Sequence, residues 1–174
     1  MNCSKLLKQR VIAAYKTTEG LVELVDEDKL DWKPETGQNW MTTGQLLHHI
    51  SNSCGAGMKG FVTGDWGFPE GVDPSRIPPE EMLPPAEKLP GFDSLNEAKE
   101  AIQKDKEIAL EILNSISEDD LSVKTATAPW APMERPLGEW FLEMVDHLNS
   151  HKGQLFYYLK LQGKPVNTGH LWGM

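Results

Sequence analysis

The sequence is poor in several features that mark large classes of proteins. Cys3 and Cys54 are its only cysteines, too few for a disulfide framework and typical of a protein kept in a reducing compartment. It has no run of 18 apolar residues, so no membrane span is predicted. Its first 20 residues are charged and helix-patterned, without the apolar block of a signal peptide. We therefore expect a cytoplasmic protein.

Basic residues are scarce relative to acidic ones. Lysine and arginine number 17 against 26 aspartates and glutamates, a formal net charge of -9. Such a surface repels phosphate backbones, which argues against nucleic-acid binding. The sequence also lacks a GxSxG nucleophile motif, a Walker loop, a GxGxxG dinucleotide motif and a CxxC pair. These absences argue against the usual serine hydrolases and nucleotide enzymes.

What the chain does have is helical periodicity. Its 174 residues are the length of one domain, and we predict a single domain over residues 1–174. Four segments repeat apolar residues at helical spacing, and none alternates as a half-buried strand does. The predicted helices cover residues 4–25, 43–61, 95–116 and 136–161. This pattern predicts an all-α protein built as an antiparallel four-helix bundle.

A long Pro-rich loop is predicted between the second and third helices. Residues 62–92 contain seven prolines and few helix formers. Loops of this length are unusual in a compact domain and are often functional or face a partner.

Histidines are the candidate functional residues. The chain has five, and four of them fall in two clusters, one on each of two predicted helices. His147 and His151 are four residues apart, about 40° around a helix axis, so both rings could bind one ion. Imidazole nitrogen is a ligand for zinc, nickel, copper or iron. The alternative is two partly buried histidines at a helix flank, each bonded to a carboxylate or carbonyl.

A third ligand is available on the second predicted helix. Of its two histidines, His49 shares a flank with Leu46 and Ser53, whereas His48 points further toward water. A set of His49, His147 and His151 would leave open coordination positions, which is typical of catalytic rather than structural sites.

Other polar residues carry weaker signals. Asp105, Glu143 and Asp146 could orient a ligand histidine by a hydrogen bond. A residue placed like Asp105 more often marks a water-filled end of the bundle or an interface, and a solvated helix face is the favoured interpretation of Asp146. Cys54 lies on an apolar stripe, which favours a buried, chemically inert thiol. The six tryptophans are expected to anchor loops, and a subset could line a pocket.

Three stretches of the chain resemble the DinB/YfiT-like superfamily. They are WMTTGQLLHHI, DHLNSHKGQLFYYLKLQGKPV and the tail LWGM, and the resemblance covers essentially the whole chain. It implies a four-helix bundle, commonly dimeric, with a divalent-metal site formed by His49, His147 and His151. Zinc is the expected ion, with nickel, manganese or iron as alternatives. Residues 62–92 are longer than a minimal bundle requires, which prevents a direct transfer of substrate.

Two functions from different classes follow from these patterns. The first is a metal-dependent enzyme, a thiol S-transferase or a hydrolase, acting on a small electrophilic substrate. Its metal would activate water or a low-molecular-weight thiol such as the cosubstrates of characterised superfamily branches. The second is a non-catalytic bundle that uses the metal or an apolar pocket for sensing or dimer assembly.

Overall fold

The fold is mainly helical, with one small two-stranded sheet. The computed structural model describes residues 2–69, 71–72, 76–82 and 84–174. Its helices are α1 (Cys3–Val22), α2 (Thr43–Ile50), α3 (Gly55–Thr63), α4 (Pro79–Met82), α5 (Leu95–Ser115), α6 (Glu118–Val123), α7 (Leu137–Leu161) and α8 (Thr168–Trp172). Its strands are β1 (Thr125–Ala128) and β2 (Ala131–Pro136). Among the described residues, no helix is long and apolar enough to cross a membrane.

The three longest helices, α1, α5 and α7, begin and end within three residues of their predicted bounds. Caps fix two of the starts, because Asn2 accepts a hydrogen bond from the backbone N–H of Lys5 and Ser94 from that of Glu97. Helix α1 packs against both α5 and α7. Helix α7 contributes several of the largest buried side chains, including Trp140, and has buried residues along most of its length.

The prediction of one continuous second helix is wrong, because the structure has two separate helices there, α2 and α3. At the break, the hydroxyls of Ser51 and Ser53 donate to backbone carbonyls of the preceding turn. Such local bonds compete with the helix ladder. The Asp105 carboxylate of α5 then accepts hydrogen bonds from the backbone N–H groups of Cys54, Gly55 and Ala56. A new helix therefore starts where the predicted helix would have continued.

Gly55 allows α3 to start against α5. A Cβ at this position would lie 1.9 Å from the Asp105 carbonyl oxygen. Only glycine permits this backbone approach, which brings the first turn of α3 onto the buried carboxylate.

The expectation of no strands is also wrong. Strands β1 and β2 pair antiparallel, with Thr125 opposite Pro136 and Ala128 opposite Ala131. The strand sequence Thr-Ala-Thr-Ala has little contrast in hydrophobicity, so its alternation is hard to see. The hairpin is attached to the core by Trp140, whose Nε1 donates to the carbonyl of Ala126 at 2.8 Å.

The described part of residues 62–92 includes helix α4 and a 3-10 turn at Ala86–Lys88. Residues 70, 73–75 and 83 of the predicted Pro-rich loop lie outside the described part of the chain. The Gln45 amide of α2 donates to the carbonyls of Ala86 and Leu89, at 2.9 and 2.8 Å. The end of this segment is therefore fastened to the start of α2.

Candidate metal centre

Three histidine rings meet where α2 crosses α7. His49 lies in the last turn of α2, and His147 and His151 lie one turn apart in the middle of α7. One ring nitrogen from each residue lies within 4.8 Å of the others. The Nε2 atoms of His49 and His147 are 3.1 Å apart. The structure thus brings together all three residues that the sequence predicted as metal ligands.

The other two histidines lie elsewhere. The ring of His48 packs against Phe92, with ring centroids 5.1 Å apart. His170 belongs to α8 and hydrogen-bonds the cap residue Asn167. His49, rather than its neighbour His48, is therefore the α2 residue that faces the α7 pair.

Hydrogen bonds outside the cluster fix the two rings on α7. The Nδ1 atom of His151 lies 3.0 Å from Oε1 of Gln154. Because an amide oxygen only accepts, the neutral ring donates from Nδ1 and keeps an unprotonated Nε2. The His147 ring donates to the backbone carbonyl of Ser53. Such partners hold ligand histidines in one orientation and tautomer.

Gln154 is itself held in place by a second contact. Its amide hydrogen-bonds the Tyr158 hydroxyl, and that hydroxyl donates to the carbonyl of Met41 at 2.9 Å. The sequence argument gave no role to Gln154, Tyr158 or Ser53. The spacing of Gln154, three residues after His151 on one helix, was the available signal.

The three rings are neutral near pH 7. Burial and the nearby His151, His147 and His48 lower the pKa of His49 to about 4. Burial, then the charge of His151, lowers the pKa of His147, and burial lowers that of His151. Neutral imidazoles are the form that binds a cation, so the cluster is ready for a metal without first losing protons.

The geometry fits a small divalent cation. Two nitrogens bound tetrahedrally to zinc at ~2.0–2.1 Å lie about 3.3 Å apart. The 3.1 Å between the Nε2 atoms of His49 and His147 is close to this value. The cluster can therefore hold a metal ion after small adjustments of the rings.

A cleft opens beside the histidines. It has a volume of about 640 Å³, and its lining includes His49, His147, Met82, Trp130 and Met144. This volume lies within the range of small-molecule sites, roughly 300–1,000 Å³. Its walls combine apolar side chains with the ring edges of two candidate ligands.

Two carboxylates also line the cleft. Glu143 forms an ion pair with Arg135, whose guanidinium lies 3.7 Å from the centre of the Trp140 ring. The Glu143 charge also counteracts the lowering of the pKa of His147. Asp146 is exposed at the edge of the cleft.

Asp105 and Cys54 lie outside the histidine cluster. Both oxygens of Asp105 are engaged by α3 and by the Tyr15 hydroxyl, which donates at 2.6 Å. Asp105 therefore fixes a helix start instead of orienting a histidine by direct contact. Cys54 is fully buried, and burial raises the pKa of its thiol, which agrees with the inert role predicted for it.

Residues 10–155 match the family described as the DinB superfamily, a range that includes all three clustered histidines. The chain belongs to the DinB superfamily. A search of curated proteins finds no match to this DinB-superfamily chain.

Proposed function

We propose that this DinB-superfamily protein binds one divalent metal ion, with zinc favoured, through His49, His147 and His151. The observation that carries the proposal is the convergence of three neutral imidazoles from two helices at the wall of a cleft. Three protein ligands leave at least one coordination position for water or substrate.

The catalytic part of the proposal concerns a small electrophilic substrate. When bound, such an ion supplies Lewis acidity, which lowers the pKa of a coordinated water or thiol. Gln154 and the Ser53 carbonyl hold the rings in place, and Trp130 and Met144 give the cleft apolar wall surface. The thiol of Cys54 is buried, and Cys3 is not among the described residues that line the cleft, so the proposed reacting thiol enters as a low-molecular-weight cosubstrate.

The metal proposal is tested on protein purified without a nickel column. Wild type should contain about one equivalent of metal, and His151→Ala should lose most of it. His48→Ala is the matched control, since His48 is adjacent to a ligand but packs on Phe92, and it should keep its metal. Equal losses in the two variants would contradict the ligand assignment.

The enzyme proposal is tested with a panel of small thiols against model electrophiles, and with ester and amide substrates, each with and without chelator. We expect turnover that disappears on metal removal while the circular dichroism spectrum stays helical. Full metal occupancy without turnover on any substrate would instead favour a non-catalytic metal- or ligand-binding module.

We also infer that α1, the α2–α3 pair, α5 and α7 form an antiparallel four-helix bundle in a single domain over residues 1–174. The packing of α1 on α5 and α7, of α2 on α7 and of α3 on α5 supports this arrangement. One cooperative unfolding transition is expected. The family resemblance further predicts a homodimer, which a monomeric mass by light scattering at micromolar concentration would contradict. The scarcity of cysteines predicts a cytoplasmic location.

A further inference from the structure

A second cleft lies on the other side of α7, between α1, α7 and α8. Its volume is about 430 Å³, and it is lined by Arg10, Asn149, Lys152, Gly153, Leu171 and Trp172. None of the described residues that line it is a candidate metal ligand. The two clefts share one residue, Asp146, which lines both.

Lys152 occupies a position that a core residue would normally take. It lies four residues after Leu148 and three before Leu155, both of which are fully buried. The Lys152 side chain is only 6% exposed. Lysines are almost never this buried unless they are paired, because removing an ammonium group from water is costly.

The protein gives Lys152 little compensation for this burial. Among the described residues, its ammonium has one hydrogen-bond partner, the amide oxygen of Asn149 at 2.9 Å. An ammonium has three donors, so two remain for a ligand. The only carboxylate lining the cleft, that of Asp146, forms no ion pair with Lys152 in the described structure.

Arg10 adds a second cation at the rim of the cleft. Its exposed guanidinium makes no hydrogen bond or ion pair with any of the described residues. Two cations and one carboxylate give this cleft a net positive charge, on a chain whose formal net charge is -9. The charge of the cleft is therefore a local feature that opposes the charge of the whole protein.

Apolar surface completes the cleft. The Trp172 ring is 65% exposed, and its centre lies 5.6 Å from the Lys152 ammonium. A Cβ added at Gly153, which also lines the cleft, would meet no atom of the described residues within 4 Å. Glycine is a poor residue for the interior of a helix, yet here it leaves open space in front of the lysine. A flat apolar group therefore has room beside the ring and next to the two cations.

We propose that this cleft binds a small organic carboxylate, with its oxygens on Lys152, Asn149 and Arg10 and its apolar body against Trp172 and Leu171. A carboxylate accepts from the unused ammonium donors and from the planar guanidinium, and it neutralises the buried charge. This site is separate from the metal centre and does not depend on it.

The test is calorimetric titration of the full-length protein with benzoate at low ionic strength, with benzamide as the neutral analogue. Chelator is present and the titration is repeated in His147→Ala, because carboxylates also bind metals. Benzoate should bind equally in wild type and His147→Ala, and benzamide should bind at least about tenfold more weakly, since hydrogen bonds to charged groups are the stronger ones. Equal binding of benzamide, or loss of benzoate binding in His147→Ala, would overturn the proposal.

Three variants locate the site. Lys152→Met keeps the length of the side chain and should weaken benzoate binding about tenfold or more. Arg10→Gln should weaken it less, and Gly153→Leu should block it by filling the open space. Lys104→Met, the same change at an exposed lysine of α5, should bind benzoate as wild type does.

Lys152→Met should fold at least as well as wild type, because replacing a buried charge by an apolar side chain is often neutral or stabilising. If Lys152→Met fails to fold, benzoate binding to Arg10→Gln and Gly153→Leu still tests the site. Unchanged benzoate binding in the folded variants would refute the assignment. If wild type binds no benzoate and Lys152→Met changes the molecular mass of the protein in solution, the cleft is a contact between copies. That result would also refute the assignment.

Discussion

Replacing Gln154 by Ala should weaken zinc binding by about tenfold or more without unfolding the protein. Gln154 accepts the only hydrogen bond that the described structure gives to Nδ1 of His151, at 3.0 Å. Its other contact, with Tyr158, holds the amide so that its oxygen faces the imidazole. Ala removes the acceptor and leaves the ring free to change tautomer and to rotate.

The size of the effect follows from two contributions. A free choice between two equally populated tautomers reduces the binding-competent fraction only about twofold. Loss of the hydrogen bond itself contributes about 1 kcal/mol, or a further factor of about five. Together they give about tenfold, the lower end of the 10- to 100-fold typical of residues that orient metal-binding histidines.

Competition for zinc with a chromophoric chelator at pH 7.5 measures this effect. Gln154→Glu keeps an acceptor facing Nδ1 and should bind zinc at least as well as wild type. Gln103→Ala changes an exposed glutamine of α5 whose side chain donates to Glu107, and it should have no effect on zinc binding. The reasoning is refuted if Gln154→Ala binds zinc within twofold of wild type, or if Gln154→Glu loses as much affinity as Gln154→Ala.

Three further predictions concern stability and pH. Asp105→Ala should lower the free energy of unfolding by about 4 kcal/mol or more, because it leaves the Tyr15 hydroxyl and three backbone N–H groups without their buried acceptor. Denaturant unfolding checks this, run at pH 8 because burial raises the pKa of Asp105, with exposed Asp31→Ala as the control expected to change little. The metal-free protein should lose stability as pH falls from about 6.5 toward 4, because the unfolded chain takes up protons at histidine before the folded one does. A His49→Phe variant should flatten that fall between about pH 6.5 and 4, and an unchanged slope would contradict the lowered pKa of His49. Gly153→Ala should stabilise the protein by roughly 0.5–1 kcal/mol, seen as a higher melting temperature, since the added methyl meets open space within a helix.

The parts of the fold that the sequence predicted well depend on local interactions. Helices α1, α5 and α7 are long and carry clear apolar stripes, and two of them start at capping residues, Asn2 and Ser94. The α7 histidine pair was predictable for the same reason, since a spacing of four on one helix fixes the relative direction of the two rings. The choice of His49 over His48 was a close one on the helical wheel, and the structure places the His49 ring against the α7 pair and the His48 ring against Phe92.

The parts that the sequence did not predict depend on distant residues. The break between α2 and α3 requires a carboxylate that is fifty residues further along the chain, on α5. The β1–β2 hairpin is attached to the core by Trp140 of α7. Its Thr-Ala pattern is too weakly hydrophobic to predict a strand. Neither contact has a local signal, so periodicity alone favoured a continuous helix and an irregular loop.

The break between α2 and α3 also contributes to the histidine cluster. In a continuous helix the carbonyl of Ser53 would accept a hydrogen bond from the N–H of Gly57. Because α3 starts anew at Gly55, the Ser53 carbonyl is available, and it accepts the hydrogen bond from the His147 ring instead. Asp105 thus acts on the histidine cluster indirectly, since it holds the helix start that leaves this carbonyl free. These contacts with the start of α3 therefore explain why Asp105, a polar residue on the apolar face of α5, is buried. Neither the pattern of α5 nor the histidine spacing reveals them.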